Sequence, residues 1–90
     1  MKKFKFILVG IDGNIIEEDV DVIIGQTYLG EISVLANHHP LLTVVKKGEI
    51  KVRIDDQEKK YLLPFDSILE VKDNIAKLLV MFNLLVDNEK

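Results

Sequence analysis

The feature that most constrains this chain is a two-residue period. In Ile50-Lys51-Val52-Arg53-Ile54, apolar and charged residues alternate without exception. On an extended backbone that order sends the apolar set to one face and the charged set to the other. Wound into a helix, it would scatter the apolar residues around the whole circumference. The same alternation sets Phe4, Phe6 and Leu8 against Lys3, Lys5 and Ile7, and Leu69 and Val71 against Glu70 and Lys72. A long strand is predicted from Ile15 to Ile24, with Val20, Val22 and Ile24 on one face and Asp19 and Asp21 on the other. Turn chemistry punctuates these runs at Asp12-Gly13-Asn14, Lys47-Gly48-Glu49, Asp55-Asp56-Gln57 and Asp73-Asn74. Outside the middle third the turns recur every ~8–12 residues, the rhythm of an all-β sandwich or barrel.

The last apolar segment breaks the alternation. Leu78-Leu79-Val80-Met81-Phe82, then Leu84-Leu85-Val86 after Asn83, is apolar on both faces. Leu78, Met81, Phe82 and Leu85 would also suit a helix. The preceding Asp73-Asn74 turn and the strand formers Val80 and Phe82 favour a strand. Such a strand is either central between two layers or covered on its outer face by a partner. With 48% apolar residues in 90, one small core leaves apolar positions over, and a partner surface is the better explanation. The expected organisation is a single sandwich domain over residues 1–86, followed by a solvated tail at 87–90.

Charge and composition exclude several classes. The chain carries 12 basic and 15 acidic side chains, a net charge of −3. It lacks the basic stripe that neutralises nucleic-acid phosphates or binds an anionic membrane surface. No cysteine is present, which removes disulfides and zinc–thiolate sites and fits a reducing cytoplasm. The opening Met1 to Gly10 run is no signal peptide, because Lys5 interrupts it and Asp12 closes it. No apolar run approaches the ~20 residues of a membrane span, so direct membrane insertion is not expected.

Catalytic groups are equally sparse. Thr27, Ser33, Thr43 and Ser67 are the entire serine and threonine supply, and neither serine sits in a nucleophile's strained turn. His38 and His39 are adjacent, so an extended backbone points them apart, and Glu31 alone does not complete a metal site. Gly10-Ile11-Asp12-Gly13 reads as a hairpin turn, because a strand follows where a dinucleotide fingerprint needs a helix. Glu17-Glu18-Asp19 reads as a solvated run that discourages edge-to-edge aggregation, and Lys46-Lys47 and Lys59-Lys60 as ordinary charged turns or edges. No catalytic residue, metal or cofactor is expected.

One continuous stretch carries a resemblance. Gly30-Glu31-Ile32-Ser33-Val34-Leu35-Ala36-Asn37-His38-His39-Pro40-Leu41-Leu42 is similar to the signature of the epsilon subunit of rotary ATP synthases, roughly G-E-F-G-I-L-P-G-H-A-P-L-L. Thr43 to Gly48 continues it, resembling T-A-L-K-P-G, and Leu69 to Asn74 resembles F-L-E-V-x-x-N. The likeness runs from about Phe4 to Val80. It departs where the family's Gly-Gly is Asp66-Ser67, and where its Pro-Gly is Ala36-Asn37. Asparagine tolerates the positive φ of the glycine it replaces.

The resemblance implies a ten-stranded β-sandwich on the central stalk, a non-catalytic rotor subunit. It would link the gamma subunit to the ring of c subunits and couple ion translocation to ATP synthesis. Glu31 and His38 would face the c-ring; Thr43, Leu79 and Met81 would face gamma. The complex would place the chain on the cytoplasmic side, peripheral to the membrane. Family members often carry C-terminal helices that regulate hydrolysis, and the sequence stops where those would begin, which reads as a short form. The alternative is a free-standing β-sandwich that binds another protein or a small ligand.

Overall fold

The computed structural model describes residues 2–81. Among them, nine strands form in chain order: β1 (Phe4–Val9), β2 (Ile15–Val20), β3 (Val22–Thr27), β4 (Gly30–Val34), β5 (Leu41–Val45), β6 (Gly48–Ile54), β7 (Gln57–Leu63), β8 (Ser67–Lys72) and β9 (Ile75–Leu79). They make two layers. One runs β2-β1-β9-β8-β5 and the other β4-β3-β6-β7. The ladders are antiparallel except where β1 and β9 run parallel. The layers are continuous through one register pair, Thr27 with Val45, so the whole is a curled sheet closed around its core. The all-β sandwich is as expected, with nine strands instead of ten. The last residues of the two-sided apolar segment, 82–86, and the expected tail lie outside the described residues.

Period two builds the core directly. Phe4, Phe6 and Leu8 point inward from β1, Leu69 and Val71 from β8, and Ala76 and Leu78 from β9. Ile23, Val34, Ile50, Val52 and Leu63 meet them from the other layer. Phe6 is fully buried, its ring tilted against that of Tyr61 with centroids 6.2 Å apart. Each of the Val, Leu, Ile and Phe side chains stabilises the fold by about 1.5–3 kcal/mol relative to exposure.

Turns form at Asp12-Gly13, Asp55-Asp56 and Asp73-Asn74 as read, whereas of Lys47-Gly48-Glu49 only Lys47 lies between strands, Gly48 and Glu49 already pairing in β6. Asp73 and Asn74 take φ of 53° and 61°, the two positive values of a tight two-residue hairpin whose twist matches the strands. Asn37 takes φ 65°, so it does occupy the left-handed conformation expected of it.

The predicted single strand from Ile15 to Ile24 is two. In β2 the even positions Ile16, Glu18 and Val20 face inward beside β1, whereas in β3 the odd position Ile23 does. The inward parity slips by one residue at Asp21, where the chain passes from one layer to the other. Asp21 is therefore not on a solvated face; it is 5% exposed. Its carboxylate accepts Lys3 Nζ at 2.9 Å and the Asp55 backbone N–H at 2.6 Å. Lys3 also reaches Asp55 at 2.9 Å. The Lys3 hydrogen bond, helped by the Asp55 N–H, holds the Asp21 carboxyl below the usual carboxylate range.

The same parity corrects the reading of Glu17-Glu18-Asp19 as wholly solvated. Glu17 and Asp19 do lie outside, flanking Lys5 at 3.2 and 3.4 Å. Glu18 turns inward, where its carboxylate accepts the Tyr61 hydroxyl at 3.1 Å and pairs with Lys59. It thus ties the edge strand β2 to the edge strand β7 by side chains.

Candidate docking surface

The outer face of the β2-β1-β9-β8-β5 layer carries an unpartnered apolar row. Register aligns Val44 with Ile68, Ile68 with Leu79, Leu79 with Val9, and Val9 with Ile15. Five strands each contribute one residue to this line. Ile68 and Leu79 at its centre are 46% and 39% exposed. Sequence neighbours divide sharply here, since Leu78 is fully buried while Leu79 lies outside. A second row alongside, Leu42-Glu70-Lys77-Ile7-Glu17, mixes apolar and charged groups. An apolar line with a charged rim is the anatomy of a protein-docking surface.

One end of the sandwich adds to it. Tyr28, Lys47, Pro64, Phe65, Asp66 and Met81 line an open groove of about 670 Å³. The Tyr28 hydroxyl donates to Asp66 Oδ2 at 2.5 Å, Lys47 donates its backbone N–H to Asp66 Oδ1 at 2.8 Å, and Lys46 Nζ lies 5.2 Å above the Tyr28 ring. The Tyr28 hydroxyl, with the Lys47 N–H, draws the Asp66 carboxyl below its ordinary range, and Asp66 pushes the Tyr28 hydroxyl up. Asp66 thus fixes this turn by side-chain hydrogen bonds, and neither it nor Ser67 takes a positive φ.

The expected site residues are not all brought together. Leu79 lies on the apolar row, and Met81, half exposed, lines the groove. Thr43 pairs with Leu69, which faces the core, so it lies on the opposite side of β5 from Leu42 and Val44. Glu31 stands near the Thr27–Gly30 end of the β3–β4 hairpin, accepting Gln26 Nε2 at 3.2 Å. His38 lies beyond the other end of β4, in the loop to β5, half-buried. The two residues expected to meet the c-ring therefore occupy opposite ends of β4. Sequence reading missed Val44, Ile68, Val9 and Ile15; their signal was an apolar residue in the outward parity of each strand. No group of three or more metal-ligating side chains is gathered among the described residues.

This architecture, an all-β sandwich with one apolar outer face, has known relatives. Residues 3–82 match the family described as ATP synthase, Delta/Epsilon chain, beta-sandwich domain. The chain belongs to that family. It is 33% identical over 63 residues to the ATP synthase epsilon chain of Ligilactobacillus salivarius, covering 70% of this chain and 45% of that one. It is 33% identical over 72 residues to that of Dehalococcoides mccartyi, covering 80% and 51%. The chain spans about half the length of these curated relatives. Among solved structures, a chain of the Euglena gracilis mitochondrial ATP synthase OSCP/F1/c-ring assembly superposes with TM-score 0.80 at 21% identity, over 89% of this chain and 51% of that one. A chain of the Tetrahymena thermophila mitochondrial ATP synthase central stalk/c-ring superposes with TM-score 0.72 at 17% identity, over 100% and 77%. These two likenesses establish the fold.

Proposed function

We propose that the chain is a non-catalytic rotor subunit of ATP synthase that links the gamma subunit to the c-ring and so couples ion translocation to ATP synthesis. The observation that carries this reading is the outer apolar row, Val44-Ile68-Leu79-Val9-Ile15, which fits a gamma-facing surface. Apolar burial there supplies most of the affinity. The curated relatives are named epsilon chains, and the neighbours in shape belong to central-stalk and c-ring assemblies. The chain would sit on the cytoplasmic side, peripheral to the membrane.

The two ends of β4 then divide the work. The β3–β4 hairpin projects at its tip, with Leu29 fully exposed, and carries Glu31 toward the c-ring. An exposed charge pair there contributes only about 0–1 kcal/mol, so this contact orients more than it binds. The His38 loop leads directly into β5, whose Leu42 and Val44 are on the apolar face, and joins the gamma side. Thr43, half-buried toward the core, supports that strand. The absence of cysteine permits a clean test. Single Cys replacements at Leu79, Met81, Glu31, His38 and Thr43 are carried into the assembled complex and cross-linked. Leu79, Met81 and His38 should yield gamma adducts and Glu31 a c-subunit adduct. Absence of any gamma adduct from Leu79 would remove the basis of the reading.

A further inference from the structure

Two turns far apart in sequence are joined through their asparagines. Asn37 lies in the β4–β5 loop and Asn74 in the β8–β9 turn, both with left-handed φ, 65° and 61°. The Asn37 backbone N–H donates to Asn74 Oδ1 at 2.5 Å, and Asn74 Nδ2 donates back to Asn37 Oδ1 at 3.1 Å. The Asn74 carbonyl accepts the Lys5 N–H at 3.0 Å, which fixes this turn to β1. Within the loop itself, His38 donates its N–H to the Leu35 carbonyl at 3.2 Å. The His38 ring Nδ1 also lies 2.8 Å from the His39 carbonyl, but both contacts are internal to the loop and do not tie it to the rest of the fold. The exchange with Asn74 anchors the loop at Asn37 to the β8–β9 turn.

We propose that Asn74 is a positioning residue for the partner-facing loop, holding His38-His39-Pro40 in the conformation that the gamma subunit meets, without touching gamma itself. This rests on the reading that the loop belongs to the gamma side. The chemistry asks for three properties at once: tolerance of positive φ, an acceptor for the Asn37 N–H, and a donor for the Asn37 Oδ1. Asparagine has all three. Glycine keeps only the backbone freedom; aspartate keeps the freedom and the acceptor but opposes a second oxygen to Asn37 Oδ1.

The experiment uses the full chain and purified gamma subunit, with Asn74→Gly, Asn74→Asp and, as a control of the surface, His38→Ala. Amide exchange at Asn37 is followed by NMR, and affinity for gamma by calorimetry. Loss of the reciprocal bonds in Asn74→Gly should speed Asn37 exchange about tenfold and weaken gamma binding about fivefold, with core amides such as Leu78 unchanged. Asn74→Asp should fall between Asn74→Gly and the parent. His38→Ala should weaken binding with Asn37 exchange unaltered. Unchanged Asn37 exchange in Asn74→Gly overturns the proposal, as does faster exchange with full affinity while His38→Ala binds weakly. If His38→Ala also binds normally, the gamma-side reading of the loop fails and the proposal falls with it.

Discussion

Two central pairs, each on neighbouring strands, look outward from this molecule in opposite styles. On the β2-β1-β9-β8-β5 layer Ile68 stands beside Leu79; on the other layer Lys51 stands beside Lys60. Both pairs point away from the core. Ile68 and Leu79 stand between buried neighbours on β8 and β9. Lys51 stands between Ile50 and Val52 on β6, and Lys60 beside Tyr61, which packs against the core. Alternation alone therefore separates inside from outside, but it does not say which outside is meant to be covered. That is decided by the residues placed in the outward set. Like charges on adjacent strands cost a few tenths of a kcal/mol and keep a face in water. Exposed Ile and Leu side by side do the reverse, so the two faces differ at these pairs, with Leu62, 76% exposed beside Glu49, an apolar exception on the charged side.

Several substitutions sharpen or break this contrast. The largest effect is expected just inside the apolar face. Leu78→Ala should lower the unfolding free energy by about 2–5 kcal/mol, read from a denaturant midpoint, because it opens a cavity in the core. One residue on, Leu79→Lys should leave that midpoint nearly unmoved yet weaken gamma binding by about 2 kcal/mol, roughly thirtyfold, in calorimetry. If the two variants behave alike, the division between core and docking face at β9 is wrong.

Asp21 offers a smaller test, of the joint between the layers. Its folded pKa is depressed, so its stabilising contribution is complete above about pH 4 and is lost as pH falls through the folded value. Asp21→Asn should be less stable at pH 7 and should flatten the acid limb of a stability–pH curve. A limb of unchanged steepness would show that other carboxylates govern acid unfolding. The smallest effect is expected on the solvated face. Lys51→Glu should shift gamma affinity by less than about twofold and stability by less than about 0.5 kcal/mol.

Much of this was legible in the residues. The inward positions of β1, β6 and β8 follow from period two, and Asp73-Asn74 specified its own turn. The strand break at Asp21 was hidden because Val20 and Val22 continue a smooth alternation. The clue is the apolar run Val22-Ile23-Ile24, which leaves the inward parity undecided, and only pairing across two layers shows which residue takes the break. Glu18 was misread for a related reason. Its inward place is made tolerable by Tyr61 and Lys59, 43 and 41 residues away, and no local pattern announces so distant a partner. The family signature located the β4–β5 loop but not its geometry. That Glu31 and His38 end up at opposite ends of β4 depends on the length of the strand between them.

The way the two layers are joined has a mechanical side. Their backbone ladders meet at Thr27 and Val45, reinforced by the Lys46 N–H donating to the Gln26 carbonyl at 2.7 Å. Beside that joint, Gly25 admits the Val45 and Ile50 side chains so closely that an added Cβ would lie 3.4 Å from Val45 Cγ1. A twisting load entering at the apolar face would therefore reach the Glu31 hairpin mainly through interlocked side chains. Close-packed interiors have low compressibility and transmit strain. Such a body would pass a load across its thickness with little give.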